Sequence, residues 1–252
     1  MNATDLLAAL GLPASARVDQ RVPKTLLVEH GAPTAADKSQ INEGIEEFQW
    51  VAALKPTTIG VAEYRDDERE YLEIAVLCLT LRTRAKAGRL TELVHRAVPY
   101  PVLLVTAQGL SLTLSLAHKR WSQGEAGKTV LDGEINELRL DGISEASIVR
   151  SLLDALSLTR QPRTTLHALY QGWTDTVLAG QAARVTGAFA SPTSAEHAAA
   201  RREALTLCSQ FETRMVRLRA AAAKEKQLPR KVEFNLELKR LQADYAAARA
   251  RL

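Results

Sequence analysis

Cysteine is scarce in this chain: Cys78 and Cys208 stand far apart with no second pair near either. They offer neither a disulfide framework nor a thiolate zinc site, which fits a reducing cytoplasm. Long apolar runs are missing as well. No window approaches the roughly 18 uninterrupted apolar residues that cross a bilayer, and "MNATDLLAALGLPASARVDQ" lacks the positive segment and apolar stretch of an export signal. Neither a membrane partner nor export is therefore expected. The imbalance of charge is small too: a net charge of +4 does not by itself demand a polyanionic partner.

Several catalytic signatures are incomplete in an informative way. Residues Gln123 to Val130 read "QGEAGKTV", whose Gly127-Lys128-Thr129 ends like a phosphate-binding loop. The loop motif also needs a glycine five residues before Gly127, so that backbone N–H groups can turn inward, and a helix directly after it. Ser122 stands at the first position, and "TVLDGEINEL" reads as extended chain. The stretch is thus expected to be a turn between strands. A restriction-type nuclease needs an acidic residue followed by a strand bearing Asp/Glu-x-Lys, because carboxylates hold the divalent ion and the lysine polarises water. "EYRDDEREYLEIAV" supplies Glu63, Asp66, Asp67 and Glu73, but Ala75 stands where the lysine belongs, and Arg82 and Arg84 follow only at the far end. His30, His95, His118, His167 and His197 are scattered without ligand spacing and read as surface or boundary residues; Ser115 and Ser151 lack a nucleophile elbow. No catalytic residue, metal ligand or cofactor emerges from these patterns.

Periodicity supplies the architecture. Leu6, Leu7 and Leu10 form a short amphipathic turn ended by Gly11 and Pro13. From Asp37 onward, Ile41, Ile45, Phe48 and Val51 or Ala52 recur at three to four residues, which predicts a helix of about four turns stopped before Pro56, with Trp50 packing near its end. "YLEIAVLCLTLR" predicts a strand buried on both faces, "AGRLTELVHRAVP" a helix, and "VLLVTA" a second buried strand. In "LSLTLSLAHKRW" leucines alternate with serine and threonine, predicting a half-exposed strand joined to the last by a hairpin at Gln108-Gly109. "TVLDGEINELRL" predicts an edge strand despite Gly133, and from Gly142 only helices follow.

These elements predict an α/β fold: a small mixed sheet flanked by helices over 1–142, a helical segment over 143–190, and a C-terminal antiparallel helical hairpin over 191–252. In the hairpin, Leu205, Cys208, Phe211 or Glu212, Met215, Leu218 and Ala222 keep a three-four spacing that Phe234, Leu238, Leu241, Tyr245, Ala248 and Leu252 keep again, and Pro229 breaks the two arms; the alternative is two surface helices packed onto the core. From Ser194 on, thirteen basic residues stand against seven acidic ones. Lys224, Lys226, Arg230 and Lys231 at the turn suit a phosphate backbone or an acidic protein groove, or form a solvated coiled-coil surface. His118, Lys119, Arg120 and Trp121 at a strand end either touch a phosphate and a base or form a solvated terminus. Tyr100, between Pro99 and Pro101, is a partner contact or a structural wedge.

"RVPKTLLVEH", "FQWVAALKPTTIGV", "LVHRAVPYPVLLV", "LSLAHKR" and "KEKQLPRKVEFNLELKRL" occur in an order that resembles an uncharacterised bacterial family, domain of unknown function 4391. The resemblance implies a gene neighbourhood of helicases and DNA methyltransferases in antiphage, restriction-like defence loci, with no established catalytic residues. The expected function is accordingly a non-catalytic accessory or scaffolding subunit of such an assembly. Its expected partners are a helicase or DNA methyltransferase of the same locus, and DNA through the basic hairpin. The alternative is a degenerate metal-dependent nuclease using the acidic loop before the first strand.

Overall fold

The computed structural model describes residues 1–252 apart from Ala126 and Ser144; the side-chain surroundings of His30 and Gly142 also lie outside the description. In chain order the elements are α1 (Ala3–Ala9), β1 (Arg17–Arg21), α2 (Lys24–Gly31), α3 (Ala35–Gly44), β2 (Ile45–Leu54), α4 (Pro56–Ile59), β3 (Tyr64–Arg65), β4 (Glu70–Tyr71), β5 (Ile74–Leu81), α5 (Ala87–Ala97), β6 (Val102–Gln108), β7 (Ser111–Trp121), β8 (Thr129–Arg139), α6 (Ala146–Leu156), α7 (Leu166–Thr186), α8 (Ala195–Lys224) and α9 (Leu228–Arg249). The chain divides into two compact units, Met1–Val177 and Leu178–Leu252, with the division inside α7.

Within Met1–Val177 a mixed six-stranded sheet runs β1-β2-β5-β6-β7-β8, and helices flank it. Among the described strands of this sheet only β5 and β6 pair in parallel, and α5 makes the crossover that a parallel pair requires. β5 is a run of aliphatic and β-branched residues buried almost throughout, as a central strand covered on both faces must be. α5 turns Leu90, Leu93 and Val94 inward onto Leu77, Leu79, Val102 and Leu104, while Arg89 and Arg96 stay outward in ion pairs with Glu92. Gly109, with φ of 60°, makes the tight β6–β7 hairpin.

The predicted four-turn helix after Asp37 is a shorter helix followed by a strand. α3 ends at Gly44, where any Cβ would press on Leu90 and Ala85 at about 3 Å, and β2 begins at Ile45. β2 pairs with β1 and β5 and carries register shifts at Ile45/Glu47 and Trp50/Ala52. Each such irregularity adds a residue to a two-residue alternation. The buried positions thus fall at Ile45, Phe48 and Val51, a spacing of three that imitates a helix. Trp50 packs as expected, its indole N–H donating to the Ala52 carbonyl. β1, "RVDQR", is a polar edge strand whose Asp19 has φ of 48°, and no apolar alternation announces it.

β7 also departs from its simple alternation. Leu112, Leu114 and Leu116 are buried, but so are Ser115, Ala117 and Lys119 on the opposite face, because α5 covers that face, with His95 on Ser115 and Lys119 at the end of the helix. β8 forms the edge, and Gly133, with φ of 84°, sits in the register shift that lies opposite Leu116/His118.

In Leu178–Leu252, α8 and α9 pack antiparallel across a three-residue connection, with Arg251 on Glu203, Tyr245 on Glu212 and Arg214 on Glu237. Cys208, Met215, Leu241 and Ala248 are buried in the seam; Phe211, Leu218, Phe234, Leu238 and Tyr245 are half-buried. Pro229 lies in the first turn of α9, where its missing N–H breaks no helical bond. Thirty residues at 1.5 Å each make α8 about 45 Å long. Among the described residues no helix is long and apolar enough to cross a membrane.

Candidate nucleic-acid or partner interface

The end of the hairpin carries the densest positive charge. Between Arg214 and Arg240, the basic residues Arg214, Arg217, Arg219, Lys224, Lys226, Arg230, Lys231, Lys239 and Arg240 face only Glu225, Glu233 and Glu237. Two of those carboxylates are engaged locally. Glu225 accepts the backbone N–H groups of Lys226 and Gln227 at 2.8 Å each, which shapes the turn and holds its carboxyl below the usual range. Glu237 accepts from Arg214 across the seam. Lys224, Lys226, Arg230 and Lys231 are all exposed. Leu228, Val232 and Leu236, at 74%, 50% and 56% exposure, follow one another at four-residue intervals on α9. They lay a single apolar stripe among the cations.

The other predicted quartet is not one surface. Lys119 is only 1% exposed; its Nζ donates to the carbonyls of His95 and Val98, at the C-terminal end of α5. A cation there meets the negative end of the helix, while burial lowers its pKa to about 8. Arg120 lies 3.8 Å from Asp132, and the backbone N–H of Trp121 donates to Glu68. His118 points elsewhere again, its Nδ1 2.6 Å from the Tyr71 hydroxyl. The four residues of "HKRW" do not share one surface because successive side chains of a strand take opposite faces.

The structure instead brings together a cluster that the sequence disperses. Tyr64 stacks on His167 at 4.8 Å between ring centres; Tyr71 meets His167 edge-on at 4.9 Å, and His118 lies 5.5 Å from His167. Tyr170 closes the group, its hydroxyl donating to the Val102 carbonyl and accepting the Ala117 N–H. Burial and nearby Arg69 lower the pKa of His167, so its neutral form is favoured. The only local signal is the i, i+3 pair His167 and Tyr170 at the start of α7, which puts both on one helix face. Chemically the arrangement fixes two imidazoles against phenols and holds the β3–β4 hairpin on β7.

Of the acidic loop, Asp66 and Glu73 are engaged in fold contacts, whereas Glu63 and Asp67 are exposed. Asp66 accepts from the Tyr64 hydroxyl and from the N–H groups of Glu68 and Arg69, while Arg69 reaches across to Asp132 through Nε and Nη2. Glu73 is buried and bound by Lys55 Nζ at 2.9 Å; its second oxygen has no partner. Among the described residues, no three His, Cys, Asp or Glu side chains are placed to share a metal ion. His95, expected at a boundary, is fully buried because α5 turns it onto Ser115, 2.9 Å away, and burial drops its pKa to about 3. His197 lies 3.2 Å from the Thr193 hydroxyl, and the side chain of His30 is outside the described residues.

At the would-be phosphate loop, Lys128 turns onto Glu125 and strand β8 starts at Thr129, so no helix N-terminus backs the turn. Tyr100 is partly exposed beside Pro99, and both line an apolar cavity of about 350 Å³ with Leu26, Trp50 and Leu77.

Fold and site define an α/β protein with a mixed sheet and a separate basic helical hairpin. The chain belongs to the family described as domain of unknown function (DUF4391), whose model matches residues 10–244. Neither a curated protein nor a solved structure matches it.

Proposed function

We propose that the protein is a non-catalytic accessory or scaffolding subunit of a DNA-defence assembly, with the hairpin end as its docking surface for a polyanion. The observation that carries this reading is the concentration of exposed cations between Arg214 and Arg240, where two of the three carboxylates are already engaged. A duplex backbone offers repeated phosphates to such a surface, and neutralising them releases condensed counterions. The stripe of Leu228, Val232 and Leu236 adds an apolar contact suited to a protein partner such as a helicase or methyltransferase.

Replacing Lys224, Lys226, Arg230 and Lys231 together by glutamine tests the reading. DNA affinity is expected to fall on every sequence alike, and the slope of log K against log salt to flatten by about three to four units. Loss of co-purification with a helicase, without loss of DNA binding, would assign the surface to the protein partner. If the variant retains both, the proposal fails. Magnesium-dependent DNA cleavage abolished by Glu73→Gln would favour the nuclease alternative.

A further inference from the structure

Helix α5 begins over the carboxyl ends of the parallel strands β5 and β6, and there the packing changes character. Farther along, Leu90, Leu93 and Val94 pack on aliphatic side chains of the sheet, and His95 sits on Ser115. At the first turn, small residues, Ala87, Gly88 and Thr91, stand opposite Thr106, Thr113, Glu137 and Arg139, and a cavity of about 250 Å³ opens between helix and sheet. The register explains its polar floor: Thr106 pairs with Thr113, and Thr113 with Arg139, so one row across β6, β7 and β8 faces the helix. Gln108 donates to the carbonyls of Arg82, Thr83 and Ala85 and so fixes the loop that leads into α5.

Two independent features give this cavity the character of a site. Thr106 is only 4% exposed, lines the cavity, and its hydroxyl has no hydrogen-bond partner. Buried hydroxyls are nearly always satisfied, by protein or by something bound. The start of α5 is also uncapped: Lys86 makes no side-chain cap bond, and the first helical bond runs from the Leu90 N–H to the Lys86 carbonyl. The amides of Ala87, Gly88 and Arg89 therefore lack helical partners at the positive end of the helix dipole. Nothing lies within 4 Å of the point where a Gly88 Cβ would stand.

We propose that this cavity binds a small ligand with an oxyanion group, phosphate or carboxylate, held by the α5 amides, Thr106 and Arg139. Glu137 lines the same floor, two residues from Arg139 on β8, and disfavours a second negative group on the ligand. The volume lies below the roughly 300–1,000 Å³ of pockets for drug-sized ligands, which limits the occupant to a small metabolite. Parallel strands with a crossover helix place ligands at this end of the sheet for the same electrostatic reason. The site is separate in sequence and chemistry from the basic hairpin.

Amide NMR spectra of the full chain, titrated with inorganic phosphate and separately with glycine, test the proposal. Saturable shifts confined to Ala87, Gly88, Arg89 and Thr106 are expected with one of the two probes. Phosphate alone identifies a phosphoryl ligand; glycine alone identifies a zwitterionic carboxylate. Thr106→Val should weaken binding about tenfold, Thr106→Ser should restore it, and Gly88→Leu should abolish it in a chain that keeps its dispersed spectrum. The quadruple glutamine variant of the hairpin should bind the probe unchanged. The proposal is overturned if neither probe shifts these amides, or if Thr106→Val binds as the parent does.

Discussion

In Met1–Val177, residues such as Leu79, Leu93, Leu104 and Leu116 have no accessible surface, whereas the α8–α9 seam is built mainly from half-buried side chains such as Phe211, Leu218, Phe234 and Leu238. The sheet unit is a layered core in which central strands and crossover helix bury one another from every side. Between Cys208 and Leu241 the hairpin buries only a narrow seam, and most other side chains there are exposed. One unit therefore concentrates packing and the other concentrates charge, and the hairpin's cations can be changed with little effect on the sheet.

The sharpest way to break this contrast is in the sheet. Leu104→Ala, at the centre of β6, should destabilise Met1–Val177 by about 2–5 kcal/mol, read as a lower denaturant midpoint with unchanged slope. A smaller loss would mean that the core repacks around the missing atoms. Next comes the seam: Leu241→Asp should cost roughly 2–4 kcal/mol locally and open α8 and α9 to limited proteolysis, while the sheet stays protected. Simultaneous loss of protection in both units would show that the hairpin is not an independent layer.

The smallest effect compares two ion pairs and appears only in acid. Asp37 on α3 accepts both Nε and Nη2 of Arg89 and a hydroxyl from Thr34, and these bonds lower its pKa to about 2. A depressed carboxyl contributes stability above its unfolded value near 3.9, and the contribution is lost as the pH falls toward 2. Asp37→Asn should flatten the stability profile in that window. Glu237→Gln, removing the exposed partner of Arg214, should change stability at neutral pH only slightly. Equal effects from both changes would erase the distinction between the units.

The elements legible in the sequence were those in which one periodicity governs the whole segment. β5, β6, α5 and the hairpin seam each repeat one spacing from end to end. β2 looks helical in the sequence because its two irregularities convert alternation into a period of three, and β1 leaves no apolar signal because an exposed edge strand needs no apolar face. The exposed lysines and arginines of the hairpin could be counted directly from the chain. The Tyr64, Tyr71, His118, His167 and Tyr170 cluster could not, since its members come from three separate segments joined only by tertiary packing. The cavity under α5 was hidden for a different reason. Its signal is a hydroxyl left without a partner, which only the assembled layers reveal.

Lys119 gives this protein a built-in clock. Its amine is shut between β7 and the C-terminal end of α5, so an acylating reagent reaches it only when strand and helix part. Exposed amines such as Lys55, Lys86 and Lys128 react at the speed of the reagent; with enough reagent to outpace reclosing, Lys119 reacts at the frequency of opening. The lag between the two sets of labels measures how often the crossover helix lifts from the sheet, with no probe attached.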